Sequence, residues 1–176
     1  MESAGRRPLV VLTLCVAGAL LVSVNSSGAS KKGGPLTLVP GQGIGGYSIG
    51  MPLEEARLRS SAGLRADENI RPGLSAWLTG PLRLLVDEST EKVTMIELNL
   101  TNSRGVRLGA VTLTPKMTFQ EIKTHLTECA FREDSEHQIL ECRGLGKPAP
   151  HISLSKKSGL IIVSLGKRPK SAPHDD

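Results

Sequence analysis

The sequence has 176 residues, with 22 Lys and Arg against 17 Asp and Glu, which gives a formal net charge of +5. This length fits one domain or two small lobes that share a core, since domains usually have about 100–200 residues. Aromatic residues make up only 2% of the chain, so the core must be aliphatic, and the lack of base-stacking platforms excludes single-stranded nucleic acid as an expected partner.

Residues 1–29 have the form of a secretory signal peptide. A basic start with Arg6 and Arg7 precedes an apolar run at residues 9–24, and small residues then lead to a cleavage position after Ala29. The apolar run is shorter than the roughly 20 residues that a membrane-spanning helix needs. We therefore expect the chain to be exported to the periplasm or secreted, and to be membrane-anchored only if the signal is not cleaved.

The remaining chain is predicted to hold one α+β domain at residues 36–166. Residues 30–35 are polar and glycine-rich and predict a flexible leader, whereas residues 167–176 predict a disordered, charged tail. The domain is expected to consist of two tandem β-α-β-β-β copies, at residues 36–102 and 106–166. In this arrangement the helices pack on a largely antiparallel sheet.

A faint internal repeat indicates the two copies. The glycine-rich stretch that starts at Gly41 leads into a helix start, and a weaker version of it follows in the second half. Met51 then corresponds to Met117, and Glu55 corresponds to Glu121, at one constant offset. A fixed period of this kind is the sequence signature of repeated structural units.

The first copy combines one short helix with several strands. Pro52 suits the first turn of a helix, and Gly63 suits its end. Leu53, Ala56 and Leu58 predict the buried stripe of this helix. The predicted elements are a strand at 36–39, a helix at 52–62 and strands at 75–79, 82–87 and 93–100.

The second copy repeats this order with a better defined helix. Thr118 is predicted to cap the helix, because Glu121 follows three residues later in the reciprocal pattern of a capping box. Phe119, Ile122 and Leu126 fall at helical spacing and should be buried. The predicted elements are a strand at 106–113, a helix at 118–130 and strands at 138–142, 150–155 and 159–165.

The helix start Gly-Met-x-x-Glu-Glu at residues 50–55 resembles a pattern in small exported bacterial proteins. These are the SmpA/OmlA (BamE-like) lipoproteins and the tandem-repeat β-lactamase inhibitor proteins. The second copy departs from the pattern because Lys116 replaces Gly50. The resemblance implies a non-enzymatic envelope module that binds another protein, and it assigns a role to no single residue.

One motif points to a serine hydrolase. Residues 46–50 spell Gly-x-Ser-x-Gly, which would make Ser48 the nucleophile of a strand-to-helix elbow. Asp87 and His151 are available as the acid and the base of a triad. However, the helix is expected to begin near Pro52 and not directly after the serine, and the glycines are also explained by a close approach of the chain to the sheet.

The sequence contains the glycine spacing of a dinucleotide-binding fingerprint. Gly41, Gly43 and Gly46 have the spacing Gly-x-Gly-x-x-Gly. A pyrophosphate would need a helix N-terminus at the last glycine, inside a parallel βαβ unit, and neither is predicted. We therefore expect no cofactor.

The cysteines predict a disulfide bond. Cys15 leaves with the signal, so Cys129 and Cys142 remain as a pair in an exported chain, where oxidising conditions favour the disulfide. The alternative is a zinc site in which His125 and His137 join the two cysteines. The disulfide is the favoured interpretation, and no metal site is expected.

The leading functional interpretation is a non-enzymatic interaction module that binds another envelope or secreted protein. A small secreted serine hydrolase that uses Ser48 is the alternative. A third hypothesis is a binder of anionic lipid or polysaccharide, because basic residues cluster at 156–157 and 167–170. Membrane contact is expected only through an uncleaved signal or these C-terminal residues, and nucleic acid is not an expected partner.

Overall fold

The computed structural model describes residues 34–67 and 73–167. The predicted signal peptide, most of the predicted leader and the tail beyond Lys167 lie outside these residues. The first half contains β1 (Leu36–Val39), β2 (Gly43–Ile44), β3 (Tyr47–Ser48), α1 (Leu53–Arg59), β4 (Arg65–Asp67), β5 (Leu74–Thr79), β6 (Leu82–Asp87) and β7 (Lys92–Asn99). The second half contains β8 (Val106–Leu108), β9 (Val111–Leu113), α2 (Phe119–His125), β10 (Ala130–Glu133), β11 (His137–Glu141), a 3-10 turn (Arg143–Leu145), β12 (His151–Ser155) and β13 (Ile161–Gly166). The α+β class is therefore confirmed.

The described strands form two sheets. The large sheet has eight strands in the order β10-β11-β12-β13-β7-β6-β5-β4, and all of its neighbours are antiparallel. Each helix is followed by four strands of this sheet, which run as a meander, and the last strands of the two meanders meet where β7 pairs with β13. The small sheet has five strands in the order β3-β2-β1-β8-β9, in which β1 and β8 are parallel.

One core lies between the large sheet, the small sheet and the two helices. Leu84, Leu98 and Val163 of the large sheet, Leu38 of the small sheet and Ile122 of α2 all belong to a single cluster of buried side chains. Because successive side chains of a strand point to opposite faces, this cluster defines one face of the large sheet, which we call the core face. The opposite face is called the open face below.

The first helix is shorter than its sequence pattern indicates. It ends at Arg59 rather than near residue 62, and Leu58, which was expected to be buried, is 87% exposed. Only Ala56 is buried, and Leu53 packs partly against the core, so two helical turns present a narrower apolar stripe than predicted. Gly63 closes the turn that follows the helix, since its N–H donates to the carbonyl of Ser60.

The second helix confirms the predicted capping box but not the predicted length. The backbone N–H of Glu121 donates to the Thr118 hydroxyl at 3.2 Å, and the Glu121 carboxylate accepts from the Thr118 N–H at 2.7 Å. Phe119 and Ile122 are buried as expected. The helix ends at His125, before residue 130. Among the described residues, neither helix combines the length and the apolar character needed to cross a membrane.

One strand prediction was wrong in detail, and four short strands were not predicted. The single strand expected at 106–113 is a hairpin of β8 and β9, because Gly109 adopts a φ of +58° in the two-residue connection that reverses the chain. The strands β2, β3, β4 and β10 were not predicted. Strands β4 and β10 are the short edges of the large sheet, their residues are mostly exposed, and both carry charged side chains, which usually protect a sheet edge against pairing with other chains.

Candidate interaction surface

No described helix or second sheet packs against the open face of the large sheet. Both helices and the small sheet share the core cluster, which lies on the other face. Strand alternation and the pairing register place the following side chains on the open face: Arg65, Asp67, Ala76, Leu78, Arg83, Leu85, Met95, Glu97, Asn99, Ile162, Ser164, His151, Ser153, Ile139 and Glu141. This face combines charged, polar and apolar groups on a rigid frame.

A polar row crosses the middle of the open face. The strand register places Arg83 opposite Glu97, Glu97 opposite Ser164, Ser164 opposite His151, and His151 opposite Glu141. The row therefore spans five neighbouring strands in a direction perpendicular to them. Cross-strand neighbours of this kind lie close enough for their side chains to interact.

At one end of the row, an arginine joins two acids. Arg83 donates from Nε to Asp67 Oδ2 at 2.8 Å and from a terminal nitrogen to Glu97 Oε2 at 3.1 Å. Glu97 is only 6% exposed. Burial alone would lower the pKa of Arg83, but the hydrogen bonds and the negative charges of the two acids outweigh it and raise this pKa above its ordinary value. The guanidinium therefore remains charged and fixed in orientation.

At the other end of the row, burial and a neighbouring carboxylate have opposite effects on the pKa of a histidine. Arg143 donates to the Glu141 carboxylate at 2.9 Å, and this hydrogen bond lowers the pKa of Glu141. His151 Nε2 lies 3.9 Å from the same carboxylate. Burial lowers the pKa of His151 more than the charge of Glu141 raises it. The imidazole is therefore neutral at pH 7 and offers one donor and one acceptor to a ligand.

A buried apolar cluster and a pocket flank the row. Ala76, Leu85 and Met95 form a second buried cluster, separate from the main core. On the other side, a pocket of about 340 Å³ lies beside the β5–β6 turn and is lined by residues that include Leu78, Glu97, Asn99 and Ile162. Among the described residues, Asn99 Oδ1 is a buried side-chain oxygen with no hydrogen-bond partner. Such atoms are rare in native folds.

The structure does not assemble the predicted hydrolase site. Ser48 lies in β3 at the edge of the small sheet, opposite Gly43, and α1 begins only at Leu53. The carboxylate of Asp87 accepts hydrogen bonds from residues of the turn that follows β6, which lowers its pKa. His151 lies on the open face, so the large sheet separates it from Ser48. The serine therefore has no triad geometry.

The glycine spacing at 41–46 is explained by the structure of the small sheet. Gly43 lies in β2, and a Cβ at this position would overlap the carbonyl oxygen of Tyr47 on the neighbouring strand. A strand, not a helix, follows Gly46. The dinucleotide alternative therefore lacks the helix N-terminus that would bind a pyrophosphate.

The two cysteines lie at disulfide distance, as the sequence predicts. Cys129 immediately precedes β10 and Cys142 immediately follows β11, so they continue the register in which Ala130 pairs with Glu141. Their Cα atoms are 4.3 Å apart, and both residues are buried. Across residues 34–67 and 73–167, no group of three or more His, Cys, Asp or Glu side chains is placed to bind a metal ion. The zinc alternative, with His125 and His137, is therefore not supported.

Sequence reasoning missed the polar row. The strands at 82–87 and 93–100 were predicted from their apolar residues, which leaves residues 88–92 as their connection, and the observed β7 begins one residue earlier, at Lys92. Pairing them symmetrically about that connection would have placed Arg83 opposite Glu97, which is the observed register. The continuation of the row into His151 needed the pairing of β7 with β13, which no local pattern indicates.

Comparisons with family models, curated proteins and solved structures returned no match for this chain.

Proposed function

We propose that this chain is an exported, non-enzymatic module that binds a partner protein through the open face of its large sheet. The observation that supports this most directly is the arrangement of layers, in which both helices and the small sheet cover the core face. The open face combines an oriented polar row and a pocket with half-buried apolar side chains such as Leu78 and Ile162. Interfaces between proteins have this composition, with apolar anchors among oriented polar groups.

The charges of the open face favour a protein as partner. Arg65 and Arg83 lie on the same face as Asp67, Glu97 and Glu141, so positive and negative groups are interspersed. Nucleic acid or an anionic membrane would be attracted by a surface of one positive sign. A mixed surface instead favours a partner with its own matched pattern of charges.

The buried cysteine pair supports the exported location. A disulfide persists in oxidising compartments such as the periplasm or the extracellular space. Together with the signal-like residues 1–29, it favours a module that acts outside the cytoplasm, where the partner would be another envelope or secreted protein.

We also propose that the module arose as two tandem copies. Helices α1 and α2 begin at Leu53 and Phe119, which are the same positions that correspond in the sequence repeat. Each helix precedes a meander of four strands, and the pairing of β7 with β13 joins the meanders at equivalent edges. The resemblance to tandem-repeat inhibitor proteins and SmpA/OmlA lipoproteins is in keeping with this organisation and with a binding role.

The experiment that tests the function is capture of a partner with matched surface variants. The purified mature chain is immobilised, the captured envelope protein is purified, and its affinity is measured by calorimetry. Ser153→Arg, on the open face, should weaken binding by about tenfold or more, because it inserts a bulky charge into the interface. Leu58→Arg, on the exposed side of α1, is the control and should leave the affinity unchanged. Equal affinities of the two variants would contradict the proposal.

A further inference from the structure

Three apolar side chains of the open face are buried although no described layer lies above them. Ala76 is 1% exposed, Leu85 is 4% exposed and Met95 is 8% exposed. The pairing register places them side by side on β5, β6 and β7, and we call them the apolar row. A sheet face that meets water leaves the outer ends of its side chains accessible. The burial of the apolar row therefore requires a covering group that the described helices and sheets do not supply.

The rest of the open face shows how much burial the sheet alone provides. Leu78, Ile139 and Ile162 are apolar side chains on the same face, and each of them is only half-buried. Ile162 lies on β13, at the centre of the sheet, so a central position does not by itself bury a side chain on this face. The additional burial of apolar side chains is confined to the apolar row.

The chain leaves the large sheet at one end of the apolar row. Gly166, the last residue of β13, is the register partner of Met95, and the N–H of Lys167 donates to the carbonyl of Thr94 at 3.2 Å. Gly166 adopts a φ of +111°, so the chain departs from strand geometry at this residue. Residues 168–176, which we call the tail, therefore start next to the apolar row.

Chain length excludes the other segments that lie outside the described ranges. Residues 68–72 must return from β4 to β5, so only half of their extended length, about 10 Å, is available to reach across the sheet. Met95 lies three strand spacings, about 14 Å, from β4. Residues 30–33 join β1 in the small sheet, which packs on the core face, and residues 1–29 are expected to leave with the signal. The tail is the segment that starts beside the row and is long enough to cross it.

The sequence of the tail matches the spacing of the apolar row. Pro169 and Pro173 favour the polyproline II conformation, which has about three residues per turn and rises about 3.1 Å per residue. In this conformation Pro169 and Ala172 lie on the same side of the segment, about 9 Å apart. The two strand spacings from β7 to β5 also add up to about 9.5 Å. Pro169 can thus contact Met95 while Ala172 contacts Ala76, and neither side chain brings a polar group that would lose its hydration.

We propose that the tail lies across the apolar row and competes with the partner protein for the open face. Pro169 and Ala172 contact the row, whereas Lys170 and Ser171 point to solvent. This contact replaces the disordered tail that the sequence pattern predicts for these residues. The competition rests on the proposed function, whereas the contact itself does not depend on any partner. If the tail covers the row in about nine molecules of ten, its removal raises the affinity for the partner about tenfold.

The ε-methyl group of Met95 reports the contact directly. The methionine methyl groups are isotopically labelled in the chain of residues 30–176, and a soluble gadolinium chelate is added to broaden the NMR signals of methyl groups that meet solvent. We expect Met95 to be protected, as the buried Met51 of the core is. Truncation after Lys167 removes no described residue. It should broaden the Met95 signal beyond detection at a chelate concentration that leaves the Met51 signal unchanged.

A matched pair of substitutions in the chain of residues 30–176 tests the orientation of the tail. Ala172→Asp places a carboxylate against the apolar row and should expose Met95 as truncation does, because burying an unpaired charge is costly. Ser171→Asp adds the same charge on the side that faces solvent and should leave Met95 protected. Dispersed amide spectra establish that each variant retains the fold. Equal effects of the two substitutions, or a Met95 signal that stays protected after truncation, would overturn the contact.

The partner protein tests the competition separately. The truncated chain and Ala172→Asp should bind the captured partner about tenfold more tightly than the wild type does, and Ser171→Asp should bind it with unchanged affinity. Unchanged affinity in a truncated chain whose Met95 is exposed would overturn the competition but not the contact. If Ser153→Arg also leaves the affinity unchanged, the partner does not bind the open face, and the proposed function is wrong.

Discussion

Removing the bond between Cys129 and Cys142 should destabilise the domain by a calculable amount. The two residues are 13 apart in the sequence and lie opposite each other at the end of the β10–β11 pair. A disulfide that closes a loop of this size restricts the unfolded chain by about 3 kcal/mol in the loop-entropy model. The loss of stability should be concentrated at β10, because all four of its residues are exposed and because it is an edge strand that pairs with β11.

Urea unfolding of the domain at residues 30–176 measures this effect. With a denaturant slope of roughly 2 kcal/mol per molar, a loss of about 3 kcal/mol shifts the midpoint by about 1.5 M. Reduced wild-type protein is the cleanest comparison, because it keeps both sulfur atoms and lacks only the bond. The variant C129A/C142A adds the cost of two small cavities, since both side chains are buried, and reductant should leave its midpoint unchanged. Hydrogen exchange should show faster exchange in β10 before the rest of the sheet.

Three results would refute this reasoning. Two free thiols in protein that was denatured without reductant would show that the bond does not form. A midpoint shift on reduction below about 0.3 M would show that closing the loop does not restrict the unfolded chain as calculated. Uniform acceleration of exchange across the sheet would contradict the local role of the bond at β10.

Three further predictions concern stability. Thr118→Ala should lower the unfolding free energy by about 1 kcal/mol, because a helix cap is lost. Thr127→Ala, outside the helix, is the control and should change the unfolding free energy by less than about 0.5 kcal/mol in the same thermal or urea experiment. Equal effects of the two substitutions would contradict the capping assignment. Burial lowers the pKa of His151 in the folded protein below 6.5. The unfolded chain therefore binds a proton more readily than the folded chain does. The stability that the neutral imidazole contributes is complete above pH 6.5 and is lost as the pH falls through the pKa of the folded state. As the pH is lowered from about 7.5 to about 5, the urea midpoint of the wild type should therefore fall, and that of His151→Gln should fall less. Parallel curves of midpoint against pH for the two proteins would refute this prediction. Gly43→Ala should cost roughly 2 kcal/mol or more because its Cβ overlaps a backbone carbonyl, whereas Gly144→Ala, where a Cβ meets open space, is the control and should be nearly neutral.

Local chemistry made part of the fold predictable from the sequence. The capping box at Thr118 depends on residues within one helical turn, and the strands around 82–87 and 93–100 are specified by their aliphatic runs and the polar connection between them. The pairing of Cys129 with Cys142 followed from counting cysteines in a chain that we expect to be exported. In each case the determining residues are close in sequence or few in number.

The remainder depended on contacts that no local pattern shows. Leu58 has the spacing of a buried residue, but α1 is too short to bring it to the core. The hairpin at Gly109 was hidden within a run that alternates like one strand, because the alternation continues across the turn. The polar row and the pocket both need β13 beside β7, a pairing between residues far apart in the chain.

The position of β13 has a consequence for how the domain can be made. It is the last described strand, yet it lies at the centre of the large sheet, between β12 and β7. Until Ile161–Gly166 has been synthesised, the four strands of the first meander and the three preceding strands of the second cannot join into one sheet. Assembly by pairing between distant parts of a chain is intrinsically slow. The large sheet of this topology can therefore be completed only after nearly the whole domain has been synthesised.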